Sequence, residues 1–291
     1  MSIQLPSQFD ANHIEMVHTL LKVAAEPDQP SAPGRRKAGE QAVQKCLFVP
    51  GFVPVVHAIF CNTKVAHNVR FVAIVCAKNA VSQHWGKTQR RVPFRRRGAA
   101  PSPPAPPPAS EADKRQLKSA LLQSVLRESD TLLARHGALL AALVVRAEVR
   151  GMGRSAGRSV GGGGGPSQAP QFWPDFFPTV MDGLRSESQD VVFNALQILF
   201  HAMDTFSKMK ILVHKMLFQA QSARVLPALQ QLFQTLASNL STDMLSIQQL
   251  PGGTPPSFAV QKISGMRQRV KLCLFAAKTL RRCIVNGYVR E

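Results

Sequence analysis

Apolar residues recur at helical spacing along most of the chain, and most clearly over residues 50–85. After Pro50 they repeat at intervals of three and four, which predicts one buried helix face: Phe52, Val55, Val56, Ile59 and Phe60. Asn62 and Thr63 predict the end of this helix and the N-cap of a second helix that begins near Val65. Apolar residues cover most of the circumference of the second helix, so we expect other helices to surround it.

Similar stripes predict helices over residues 10–24 and 35–48, two helices between 110 and 150, and longer helices from 169 onward. Period-two alternation, which would indicate strands, is absent. The pattern therefore predicts an all-α protein.

The longer helices carry three specific expectations. In the helix through Val191, the apolar stripe leaves four polar residues facing away from the core: Gln189, Asn194, Gln197 and Asp204. The next helix is expected to bend or break at Pro227. In the last helix the predicted buried positions are Val270, Cys273, Ala277, Leu280 and Ile284, and the predicted solvated positions are Arg267, Lys271, Lys278, Arg281 and Arg282.

Two low-complexity segments interrupt the helices. Residues 87–109 are rich in proline and arginine, and residues 151–168 are rich in glycine. Neither composition can bury a core, so both are predicted to be disordered inserts. A phosphate-binding loop is excluded for the glycine-rich segment, because neither Lys-Ser nor Lys-Thr follows it and Pro166 ends it.

Helix pairs of about forty residues predict a right-handed α-solenoid of HEAT-type helical hairpins. The predicted division is two hairpins in 1–86, the insert 87–109, a third hairpin in 110–150, the linker 151–168 and further hairpins in 169–291. The chain is expected to be truncated at its C-terminus, as a fragment or an incomplete gene product.

Three ordered patches resemble one known family. They are Pro-Gly-Phe at 50–52 with Asn-Val-Arg-Phe-Val-Ala at 68–73, Lys78-Asn79 and Trp85; Trp-Pro-Asp-Phe-Phe-Pro at 173–178; and Lys278-Thr-Leu-Arg-Arg282 with Val-Asn-Gly-Tyr at 285–288. They resemble the N-terminal region of the importin-β (karyopherin-β) family of nuclear transport receptors, and the branch that they resemble most is importin eleven. The first patch places the family's N-terminal domain at about 35–86.

The resemblance implies a function as well as a fold. In that family the second helices of the N-terminal hairpins bind the GTP form of the small GTPase Ran, and binding releases imported protein cargo. It implies Ran-GTP, protein cargo and nuclear pore proteins as partners, and shuttling between cytoplasm and nucleus across the nuclear envelope. Carried onto matching positions, the candidate GTPase contacts are Arg70, Lys78, Asn79 and Trp85. Packing against neighbouring helices is the competing interpretation for Arg70 and Trp85, and the 173–178 patch is interpreted as packing.

The charge of the chain keeps a second class of function open. The net charge is +19, although receptors of the importin-β family are usually acidic. The densest basic run could bind nucleic acid non-specifically: Arg90, Arg91, Arg95, Arg96 and Arg97. The alternatives are therefore a basic helical scaffold that binds RNA or chromatin, and a generic HEAT scaffold that binds proteins.

Candidate chemistry is sparse. His57 and Cys61 lie at helical spacing but lack a third metal ligand, and the five cysteines form no Cys-x-x-Cys pair and are expected to be buried thiols. No nucleophile elbow or dinucleotide loop occurs. We expect no enzyme activity, cofactor or metal. The chain is not expected to insert into a membrane, because its apolar runs are too short.

Overall fold

The structure is a computed structural model that describes residues 6–28, 33–85, 109–156, 173–209, 212–249 and 256–287. A short 3-10 turn, Ala11–His13, precedes ten α-helices in these residues. They are α1 Ile14–Ala25, α2 Arg35–Cys46, α3 Phe52–Cys61, α4 His67–His84, α5 Glu111–Leu126, α6 Thr131–Ala156, α7 Phe176–Leu184, α8 Gln189–Ser207, α9 Leu212–Gln248 and α10 Pro256–Gly287. No strand occurs among the described residues, and the predicted all-α class is confirmed.

The chain divides into two compact units. Unit 1 comprises 1–125 and 130–173, and unit 2 comprises 126–129 and 174–291. The predicted inserts fall largely outside the described residues, as do the arginines at 90–97. Of the glycine-rich segment, the first six residues continue α6 as far as Ala156.

Within each unit, consecutive helices pack as hairpins. In unit 1, α1 packs on α2 and α3 on α4; in unit 2, α7 packs on α8 and α9 on α10. Second helices also pack on second helices, α4 on α6 and α8 on α10. The first helices of neighbouring hairpins also contact each other. The buried carboxylate of Asp113 on α5 accepts the N–H of Gly51, at the start of α3, at 2.9 Å, and α7 packs on α9. This two-layer stacking is the packing of HEAT-type repeats and confirms the predicted fold class, while the predicted domain bounds stay a prediction.

The α3–α4 hairpin forms as its pattern predicted, except at the start of α4. All five stripe residues of α3 are buried, and Asn62 ends the helix. The new N-cap is Ala66, not Thr63, and it provides no side-chain hydrogen bond. The Asn62 side chain accepts the Lys64 N–H at 3.0 Å, so it stabilises the turn between the helices and leaves α4 to begin at His67.

The Pro-Gly-Phe patch has a local structural role. Gly51 has φ +81°, and a Cβ on it would lie 2.0 Å from the Phe9 carbonyl oxygen. The Phe9 N–H donates to Pro50 O at 2.7 Å, and the Phe9 ring lies 5.7 Å from that of Phe52. The segment before α1 therefore packs directly on the start of α3, where only glycine fits.

Two expectations about unit 2 were wrong at polar positions. Asn194 and Gln197 on α8 are buried, each with 3% of its surface exposed. Asn194 Nδ2 donates to the carbonyl oxygens of Leu126 at 3.2 Å and Glu128 at 2.8 Å. The buried Asn194 amide is stable because it satisfies backbone groups that have no helical partner, whereas Gln197 Nε2 has no hydrogen-bond partner among the described residues.

The buried face of α10 also differs from the predicted one. Leu272, Ala276, Thr279 and Cys283 are buried, whereas Val270 and Ile284 are exposed by 38% and 48%. Thr279 can be buried because its hydroxyl donates to Phe275 O at 2.8 Å. Helix α9 runs through Pro227, which lies inside it. No helix in the described residues is both long enough and apolar enough to cross a membrane.

Candidate partner-binding surface on helices α4 and α6

The second helices of unit 1 carry a cluster of cations next to an aromatic ring. Lys78 on α4 places its Nζ 3.2 Å from Nδ1 of His136 on α6. The His136 ring packs edge-on against Phe71, with centroids 4.8 Å apart. Arg135 lies beside His136 on α6 and is exposed. We call Lys78, Arg135 and His136, with Phe71, the α4–α6 basic cluster.

Close packing of α5 and α6 positions His136. A Cβ on Gly137 of α6 would lie 2.4 Å from a methyl group of Val125 on α5, so the two helices approach as closely as glycine allows. The N-terminus of α6 is capped by Asp130, whose Oδ1 accepts the N–H groups of Leu132 and Leu133, both at 2.9 Å. His136 consequently lies little more than one turn from a fixed helix end.

The charges of the cluster repel one another. Burial lowers the pKa of Lys78, and the charge of Arg135 lowers it further. Burial also lowers the pKa of His136, as do the charges of Lys78 and Arg135. Neutral His136 can then accept a hydrogen bond from the Lys78 ammonium group.

The described residues provide no carboxylate ion pair for Lys78 or Arg135. The acidic residue that caps α6, Asp130, pairs instead with His67 at 3.2 Å. A half-buried cation such as Lys78, beside the exposed Arg135 and without a carboxylate partner among the described residues, favours an anionic or carbonyl-rich partner, whose oxygens would replace its hydration.

Two of the four predicted contacts are engaged within unit 1. Arg70 is 7% exposed; its Nε donates to Phe60 O at 2.8 Å, and its guanidinium lies 5.7 Å from the centre of the Phe60 ring. Trp85 is 1% exposed, and its Nε1 donates to Glu148 Oε1 at 2.9 Å. The other carboxylate oxygen of Glu148 accepts from Lys118 at 3.1 Å. These contacts favour packing as the role of both residues.

Lys78 and Asn79 remain half-buried and accessible on α4. The sequence did not single out Arg135 and His136, which the fold brings to Lys78 from 57 and 58 residues away (135 − 78 and 136 − 78). A histidine on a leucine-rich helix carries no distinguishing pattern. Only the pairing of α4 with α6 could have identified it.

The His57 and Cys61 pair is a separate polar contact on α3. The Cys61 sulfur lies 3.6 Å from His57 Nε2, and that nitrogen lies 3.0 Å from Ser124 Oγ. Burial lowers the pKa of His57 to about 4, so the ring is neutral and holds α3 to α5. Among the described residues no three His, Cys, Asp or Glu side chains group as a metal site. Cys61 is exposed, contrary to the expectation for cysteines, whereas Cys46, Cys76 and Cys283 are buried.

Residues 40–127 match the family described as "Importin-beta N-terminal domain". This segment resembles an importin-beta N-terminal domain. The predicted resemblance to the importin-β family is thereby confirmed, and the importin eleven branch stays a prediction. The domain includes α3, α4 and α5, and therefore Lys78 and Asn79.

A solved structure shares the fold of the chain. It is described as the "Structure of Lph2, a novel bidirectional nuclear transport receptor in S. cerevisiae", with a TM-score of 0.56 and 16% identity over 87% of this chain. The match covers 20% of that receptor, so the chain spans about a fifth of its length. No curated protein sequence matches the chain.

Proposed function

We propose that this chain is the N-terminal part of a nuclear transport receptor and that the α4–α6 basic cluster contacts Ran in its GTP form. The observation that carries the proposal is Lys78, a half-buried cation without a carboxylate partner among the described residues, on a second helix of an importin-beta N-terminal domain. Asn79, the next residue on α4, adds an amide that can both donate and accept hydrogen bonds.

Selectivity for GTP follows from the order of the GTPase switch segments. Contacts of the γ-phosphate order these segments, and hydrolysis releases them, so only the GTP state presents a fixed surface. A rigid helical surface binds that state with less entropy lost than it would need to order a mobile loop. Binding of Ran-GTP would then release protein cargo in the nucleus, and the receptor would shuttle through the pore by contacts with nuclear pore proteins.

The test is equilibrium binding of the purified 291-residue chain to Ran loaded with GTP or with GDP, at physiological salt. We expect saturable binding of the GTP form alone. The double variant Lys78→Ala/Asn79→Ala should weaken it by about tenfold or more, because charged contacts at the centre of an interface contribute more than about 1 kcal/mol. Arg135→Ala should weaken it less, since that side chain is exposed.

Two control variants separate contact from charge and from folding. Lys22→Ala removes one exposed cation of α1 and should leave binding unchanged. Trp85→Phe removes the hydrogen bond to Glu148 and should lower stability without altering the affinity of the folded protein. Equal binding of both nucleotide states that fades with added salt would contradict the proposal and favour a polyanion-binding scaffold. Loss of binding in Lys22→Ala equal to that in the double variant would do the same.

A further inference from the structure

Helix α10 of unit 2 has an unusual charge composition. Between Pro256 and Gly287 it contains seven lysines and arginines and no acidic residue. Two of these cations have carboxylate partners: Arg269 pairs with Asp243, and Arg282 pairs with Asp204 at 2.6 Å. Four others are exposed and form no ion pair with the described residues: Arg267, Lys271, Lys278 and Arg281. Most of the positive charge of the helix is therefore uncompensated and faces solvent.

These four cations lie on one face together with two large apolar side chains. The order along the helix is Arg267, Lys271, Leu274, Lys278, Arg281 and Val285, with alternating spacings of four and three. This spacing keeps all six on a single face of a helix. Leu274 is 55% exposed and Val285 is 64% exposed. We call these six residues the α10 stripe, and it spans about 27 Å at 1.5 Å per residue.

The C-terminal half of the stripe borders a pocket of about 500 Å³. Phe200 of α8 forms one wall, and Lys278, Arg281, Arg282 and Val285 form the rest. Arg282 is held by Asp204 and lies with its guanidinium 5.9 Å from the centre of the Phe200 ring. The pocket therefore has a fixed aromatic and cationic wall beside the two exposed cations of the stripe.

The surrounding rings decide between two kinds of anionic partner. Single-stranded RNA binds by stacking its bases on accessible aromatic faces. Here Phe275 packs edge-on against Phe193 at 5.5 Å and against Phe200 at 5.3 Å. Phe200 also contacts His201 at 5.3 Å and lies under Arg282. The rings are occupied by one another, so the site offers charge and apolar surface and few faces for bases.

We propose that the α10 stripe binds an acidic amphipathic helix of a partner protein. The carboxylates of that helix pair with Lys278 and Arg281, and its apolar side chains pack on Leu274 and Val285. A heptad spacing with cations beside apolar residues is the complement of such a helix. The site uses residues of unit 2 alone and goes beyond the function proposed above, so its test is independent of binding at Lys78.

The test uses the full chain and a fluorescently labelled synthetic peptide of about 18 residues, with glutamates and leucines at spacings of three and four so that it matches the length of the stripe. Fluorescence anisotropy measures its binding to the chain and to variants. Lys278→Ala/Arg281→Ala should weaken binding by about tenfold, and Leu274→Gln by about fivefold. Lys37→Ala/Lys45→Ala removes the same charge from exposed positions of α2 and should change binding by less than about twofold.

Two further probes test the charge of the peptide and the RNA alternative. A peptide with glutamine at every glutamate position removes the charges without altering the protein, and it should bind at least about tenfold more weakly. An oligouridine of about 18 nucleotides represents single-stranded RNA. The proposal is overturned if the peptide does not bind, if the α2 variant loses as much affinity as the α10 variant, or if oligouridine binds more tightly and Leu274→Gln has no effect on either probe.

Discussion

Two glycines with the same backbone angle should respond very differently to alanine. Gly34 and Gly51 both have φ +81°, a conformation that costs an L-residue about 1–2 kcal/mol. A Cβ on Gly34 would meet nothing within 4 Å, whereas a Cβ on Gly51 would lie 2.0 Å from Phe9 O and 2.8 Å from the Phe9 carbonyl carbon. Gly34→Ala therefore tests the strain alone, and Gly51→Ala tests the strain together with the clash.

The clash cannot be relieved without moving Phe9. That residue is 2% exposed, and its N–H donates to Pro50 O, so displacement loses a hydrogen bond worth about 1 kcal/mol and loosens a buried ring. We expect Gly51→Ala to lower the free energy of unfolding of unit 1 by about 3 kcal/mol or more, and Gly34→Ala by about 1 kcal/mol. These losses of stability correspond to amide exchange that is about 150-fold faster in Gly51→Ala and about fivefold faster in Gly34→Ala.

Hydrogen–deuterium exchange read by mass spectrometry measures both effects in the intact chain. The relevant segments are the peptides of α1 and α3, whose slowest amides exchange by opening of the unit. Exchange in α9 and α10 serves as the internal reference, because neither substitution lies in unit 2. Equal acceleration in α1 and α3 for both variants would show that the approach of Phe9 contributes nothing and would refute the reasoning.

Three further predictions concern His57, Asn194 and Gly265. The pKa of His57 falls from 6.5 to about 4 on folding, so its contribution to stability is complete above pH 6.5 and is lost as pH falls towards 4. This loss lowers the free energy of unfolding by up to about 3 kcal/mol. His57→Gln should therefore flatten the pH dependence of urea unfolding monitored by circular dichroism. A steeper acid loss in the variant than in the parent would contradict this. Asn194→Ala removes hydrogen bonds to two buried carbonyl groups and should destabilise unit 2 by about 2–3 kcal/mol, measured by exchange in α8, whereas no change would mean that water replaces the amide. Gly265 lies inside α10, and a Cβ on it would meet nothing within 4 Å. Gly265→Ala should therefore stabilise the helix by about 0.5–1 kcal/mol and slow amide exchange in it. Faster exchange would show an unrecognised contact.

The sequence predicted the helices better than it predicted which faces they bury. The α3 stripe was confirmed in full because its five residues are all large and apolar. In α10 the buried positions include Ala276 and Thr279, whereas the larger Val270 and Ile284, which were predicted to be buried, are exposed. The periodic pattern gives most importance to large, hydropathic residues, so it predicted the wrong buried face for α10.

Polar residues were the second source of error, for a physical reason. Specific partners supplied by the fold stabilise buried amide and guanidinium groups, as Phe60 O does for Arg70 and Leu126 O for Asn194. Those partners lie 10 and 68 residues away, beyond any local pattern. The α4–α6 basic cluster has the same origin, since Lys78 was predicted from the resemblance but His136 could be recognised only once α4 and α6 were known to be neighbours.

The burial of Trp85 has a practical consequence for spectroscopy. The chain has two tryptophans, Trp85 and Trp173; both are buried, and both belong to unit 1. Trp173 is the last residue of unit 1, so a Trp173→Phe variant leaves Trp85 as the one tryptophan, and its emission reports on unit 1. A denaturation curve recorded by emission and one recorded by helicity should coincide only if the two units unfold together, so this pair of optical measurements gives the cooperativity between them without any label.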